Sequence, residues 1–150
     1  MGAPVTLVAP NSSGIDQPVG VASPLVVADR RYPSGSVPLI AGSGNVANAS
    51  AAATLTPTAT TTAYIAGFQV TGAGATTGLP VVVTVAGLLG GTRSYIYTAA
   101  GGALLPNAPL MVAFDPPLPA SAVNTAIVVT CPALGAGNTN NAVVAHGYYA

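Results

Sequence analysis

The sequence predicts an all-β chain: an antiparallel β-sandwich carrying an extended, proline-rich N-terminal segment. Three observations lead there. Short runs of β-branched and aromatic residues recur from Thr62 onward, and stretches rich in Gly, Asn, Thr and Pro separate them. The separating loops are too short for helical crossovers between parallel strands. Seven of the fourteen prolines fall within the first 60 residues, where each removes a backbone donor and disfavours helix in the residue before it.

The elements follow in order. Residues 1 to 60 keep many apolar side chains (Val5, Leu7, Val8, Val19, Val21, Leu25, Val26, Val27), so they are expected to form an arm and edge strands that lie on something. The segment Ala47 to Thr62 is low in complexity and reads as a loop, or as a short helix through Ala49–Ala53. Residues 61 to 150 are expected to form the sandwich core of what is one structural domain overall. In "TAYIAGFQVTG" strict alternation puts Tyr64, Ala66, Phe68 and Val70 on one face of a strand. "LPVVVTVAGLL" is continuously apolar and reads as a strand buried on both sides. "TRSYIYTAA" alternates, with Arg93, Tyr95 and Tyr97 opposite Ser94, Ile96 and Thr98. "APLMVAF", "NTAIVVTCPA" and "AVVAHGYY" supply three more strands.

Charge is the outlying property. Of 150 residues 4% are charged, where a typical domain has about 25%. They are Asp16, Asp29, Asp115, Arg30, Arg31 and Arg93, and they sum to zero. A neutral surface gives no long-range attraction to nucleic acid, so no nucleic-acid partner is expected. No apolar run reaches the 20 or so residues of a spanning helix, so no membrane partner is expected either. So few charges give little self-repulsion, and such a surface suits a chain packed against other protein.

Catalysis finds little to work with. His146 is the only histidine, and no serine sits in a nucleophile-elbow frame. One His, one Cys and no Glu give no metal-ligand pair at useful spacing, and without lysine a Walker loop is impossible. The outline G-x-G-x-x-A at Gly42–Ala47 lacks the acidic residue about 20 positions on that dinucleotide binding uses; the next acid is Asp115. It reads as a turn. Cys131, after "AIVVT", reads as a small buried hydrophobe, and His146 as a packing or interface residue. The expectation is therefore no enzyme, no cofactor and no metal. "NSS" at Asn11 and "NAS" at Asn48 read as chance matches to a glycosylation pattern, because no secretory leader is visible.

Charge concentrates once, in "ADRRYPSG". Arginine pairs bidentately with carboxylates and is enriched at interface hot spots. Arg30, Arg31 and Tyr32, with Arg93, are the candidate interface anchors; a solvated turn is the plain alternative for the cluster.

The tract "F-x-P-P-L-P-A-S-x-x-N-T-A" from Phe114 to Ala126, the turn "GAGNTNNA" and the terminal "HGYY" carry a resemblance. Residues 62 to 149 resemble small virion proteins of tailed bacteriophages encoded near major capsid proteins. Some of these are capsid decoration, or cement, proteins. The resemblance implies a jelly-roll-like sandwich on the capsid exterior, made in the host cytoplasm. Its partners would be the major capsid protein and further copies of itself, as a homodimer or homotrimer. A tail-fibre or receptor-binding β-module is the alternative. The resemblance brings no catalytic residues.

Overall fold

The computed structural model describes residues 8–10, 16–18, 32–102 and 108–150. Two compact units divide the chain, residues 1–31 and residues 32–150. In the first, β1 (Val8–Pro10) pairs antiparallel with β2 (Asp16–Pro18).

Among its described residues the second unit holds eight strands: β3 (Val37–Gly42), β4 (Ala51–Leu55), β5 (Ala63–Ala73), β6 (Pro80–Ala86), β7 (Arg93–Thr98), β8 (Leu110–Pro119), β9 (Ile127–Cys131) and β10 (Asn140–Tyr149). They form two four-stranded antiparallel sheets, ordered β3-β10-β5-β8 and β4-β9-β6-β7, packed into a β-sandwich. The pairing is nested. β6 pairs with β7, β5 with β8, β4 with β9 and β3 with β10, as if one long hairpin were folded over on itself. Only β6 and β7 are consecutive within one sheet; every other connection in this unit crosses between sheets. No helix occurs among the described residues, and none there is long and apolar enough to cross a membrane.

Alternation explains the core. β4 and β9 bury every second residue: Ala51, Ala53 and Leu55 on one, Ile127, Val129 and Cys131 on the other. Val83 and Val85 from β6, Ile65 and Val70 from β5, and Val143 and Ala145 from β10 fill the space between the sheets. Each such Val, Leu or Ile stabilises the fold by about 1.5–3 kcal/mol relative to exposure. Most of the core side chains are Ala, Val, Leu and Ile, with Phe68 and Tyr97 as its buried rings.

The structure departs from the sequence reading at three places. Residues 51–55 form strand β4 and no helix; alanines that favour helix in isolation lie here on a pleated, half-buried surface, where tertiary pairing decides. β6 is buried on one face only, since Val82 is exposed: the sandwich has two layers, and nothing among the described residues covers the outside. Finally, Tyr64 does not share a face with Phe68 and Val70. A bulge where Ile65 and Gly67 of β5 oppose β8 and β10 switches the parity, so Ile65, Phe68 and Val70 point inward and Tyr64 outward.

A candidate binding face

The outer surface of the β3-β10-β5-β8 sheet is built of three rows running across its strands. The first is Pro38, Tyr148, Tyr64 and Pro119; the second Ile40, His146, Gly67 and Ala113; the third Gly42, Val144, Gln69 and Met111. None of the twelve is a Lys, Arg, Asp or Glu. Ile40 is 79% exposed, Met111 70% and Val144 46%, so the second and third rows present apolar surface to the outside, whereas Tyr148 in the first row is buried.

The first row is aromatic. Tyr64 and Tyr148 stack, with ring centroids 4.8 Å apart and planes inclined by 10°. Tyr32 leans on Tyr148 from the other side, at 5.1 Å and 44°. Burial pushes the Tyr148 hydroxyl pKa up, and neighbouring Tyr64 adds to the shift.

The second and third rows enclose a shallow pocket of about 230 Å³, lined by Phe68, Gln69, Met111, Val112, Ala113, Val144 and His146. The His146 ring lies across Gly67. A Cβ at residue 67 would sit 2.9 Å from His146 Cε1 and 2.7 Å from the Val112 carbonyl oxygen, so only glycine fits under the ring. The pocket is apolar with an imidazole at its edge, which suits an aliphatic side chain better than a charged group.

The opposite sheet is equally neutral outside. Ala52, Thr54, Val128, Thr130, Val82, Thr84, Ser94, Ile96 and Thr98 alternate outward along its strands. Among the described residues no three His, Cys, Asp or Glu side chains come together.

The anchors expected from the sequence fall in different surroundings. Arg30 and Arg31 lie outside the described residues. Tyr32 belongs to the aromatic row. Arg93 begins β7 and lies over the Phe114 ring, 6.0 Å from its centroid. It thus covers an aromatic plug at the open side of the sandwich, where Phe68 meets Tyr95 edge-on at 5.3 Å and Phe114 at 6.2 Å. Arg93 thus packs on its own chain while remaining exposed.

Two buried groups lie between the sheets, Asn141 on β10 and Cys131 on β9. Asn141, on the inner face of β10, donates through Nδ2 to the carbonyls of Pro132 (3.0 Å) and Ala49 (3.1 Å). It ties the β9–β10 connection to the residues leading into β4. Cys131 is fully buried, and burial pushes its thiol up to about 11 against a slight opposing pull from Asn141. A thiol so held is a packing atom and a poor nucleophile.

The outward residues Ile40, Val144 and Met111 were not singled out in the sequence. Each looks like an ordinary strand residue there, and only the register places them side by side. The tyrosine stack was hidden for the same reason, since its two members are 84 positions apart and the bulge turns one of them over.

Fold and surface together define a two-sheet β-sandwich whose outer faces are almost free of charge, one largely apolar and the other rich in Thr and Ser hydroxyls. No protein-family model, curated protein or solved structure matches the chain.

Proposed function

We propose that this chain is a structural virion protein that binds and stabilises the outer surface of a tailed-bacteriophage capsid. The observation that carries the reading is the uncharged three-row face on β3-β10-β5-β8, with its tyrosine stack and its side-chain-sized pocket. A face of this kind gains from losing water, and none of its twelve row positions carries a charge to desolvate, with Asp115 exposed at its β8 margin; this favours docking on a protein surface. Repetition across a lattice multiplies a modest contact into firm attachment. We read the nested strand pairing as a jelly roll, in keeping with the resemblance of residues 62 to 149 to capsid decoration proteins. The major capsid protein is the partner, with Arg30 and Arg31 as auxiliary charged anchors.

Co-sedimentation with purified capsids tests this. The wild-type chain pellets with the particles and stays bound in about 0.3 M salt, because so few charges are available to screen. Met111→Lys with Val144→Lys puts two ammonium groups on the exposed third row and abolishes pelleting without unfolding the sandwich. Release of the wild-type chain by that salt, or undiminished binding of the double variant, contradicts the assignment.

A further inference from the structure

The sandwich has four edge strands, β3 and β8 in one sheet, β4 and β7 in the other. An edge presents unpaired backbone donors and acceptors, and proteins that stay apart obstruct it with proline, charge, bulges or extreme shortness. Two of the four edges carry such a device. β3 contains Pro38. β8 contains Pro116, Pro117 and Pro119, and its pairing with β5 is interrupted between Ala113 and Leu118. β4 is five residues long and turns only Ala52 and Thr54 outward, which offer almost no apolar grip.

β7 is different. Its sequence Arg-Ser-Tyr-Ile-Tyr-Thr has no proline or glycine and is rich in residues that favour strands. Among the described residues it pairs only with β6. Its one charge, Arg93, lies at the strand's first position and turns onto Phe114. Ile96 is 76% exposed, and its cross-strand neighbour Val82 is exposed beside it.

We infer that β7 is a self-association edge, pairing antiparallel with β7 of a second copy across a two-fold axis at Ile96. The partner is a second copy because of charge and symmetry. A two-fold contact sets the residue on the axis against itself, so a charge there would repel its own image; Ile96 carries none, and neither do Ser94 and Thr98 beside it. Residues opposite each other in an antiparallel pair point to the same side. Centring on Ile96 sets Ser94 against Thr98 and Tyr95 against Tyr97. It lines up Val82, Ile96, Ile96 and Val82 as one apolar row and leaves Arg93 beyond the paired stretch. Centring on Tyr95 instead would bring Arg93 against Tyr97, burying a charge at the joint. The result is one eight-stranded sheet spanning two sandwiches. This deepens the proposed function by naming the surface through which copies associate. The experiment needs no capsid, so its failure leaves the capsid contact untouched and the reverse also holds.

Sedimentation equilibrium of the purified full chain and of two variants tests it. The wild type is a dimer at about 100 μM, a concentration that populates any specific dimer tighter than the millimolar range. Ile96→Lys sets two ammonium groups opposite each other and weakens the dimer by about tenfold or more; its circular dichroism stays that of the wild type, because the replaced side chain is exposed. Ile96→Cys forms an intermolecular disulfide under mild oxidation, since its Cβ atoms lie about 5 Å apart across the axis. Ser94→Cys does not, since each copy faces Thr98. Native Cys131 stays out of the reaction because it is buried. A monomeric wild type, a dimer that Ile96→Lys leaves intact, or cross-linking no faster at 96 than at 94 overturns the inference.

Discussion

Tyr64 and Tyr148, 84 positions apart, stack ring on ring at 4.8 Å on the outer surface of adjacent strands. The contact depends on the β-bulge that turns Tyr64 away from the core face occupied by Phe68. Aromatic pairs of this geometry contribute about 0.5–1.5 kcal/mol beyond the area they bury. A double-mutant cycle with Tyr64→Leu and Tyr148→Leu, measured by urea denaturation, is expected to return a coupling energy in that range. A coupling within error of zero would mean that the rings are neighbours without mutual stabilisation.

The bulge itself is set by glycine. At Gly147 an added Cβ would collide with the backbone carbonyl of Tyr64, which cannot swing away as a side chain can. Gly147→Ala therefore forces β10 and β5 apart at the tyrosine pair. The expected cost is at least about 2 kcal/mol, toward the upper part of the usual overpacking range. Thermal denaturation checks it, and an unchanged midpoint would show that the strands have slack there.

Asn141 illustrates a buried polar group that earns its place through partners. Asn141→Leu leaves the carbonyls of Pro132 and Ala49 without their donor inside the fold. A loss of about 1–3 kcal/mol is expected in chemical denaturation. Asn141→Asp should cost more, since it adds a charge to a fully buried position.

Stability should fall in alkali. The Cys131 thiol is pushed up to about 11 from an ordinary value of 9.0, and the Tyr97 and Tyr148 hydroxyls are also raised, chiefly by burial. In each case the unfolded chain ionises before the folded one. The stabilisation is complete below the unfolded pKa and is lost as pH rises through the folded value. The thiol's window runs from about 9 to about 11. Urea midpoints measured across it should decline, and Cys131→Ala should decline less steeply. Equal slopes for the two proteins would remove the thiol from the explanation.

How much of this was legible in the sequence depends on the range of the interaction that decides each feature. The one-sided alternation of β7 was legible, since Arg93, Tyr95 and Tyr97 do lie opposite Ser94, Ile96 and Thr98. So was the burial of Cys131, because a run of β-branched residues on a strand needs only its own period. β4 was not, because Ala51–Ala53 has no local preference for a strand and acquires one only from pairing with β9. The single-sided burial of β6 was not, because a run of valines is silent about how many layers will cover it. The binding face was the least legible part. Ile40, Val144 and Met111 come from three separate strands, and Tyr64 reaches that face only through a bulge that period-two alternation cannot foresee.

Electron microscopy of virions carrying a labelled copy of this chain tests the central claim most directly. The account predicts density for a two-sheet sandwich at repeated positions on the outside of the head, its β3-β10-β5-β8 face turned toward the shell. Label confined to the tail, label absent from the particles, or a sandwich that meets the head through a different surface would contradict it.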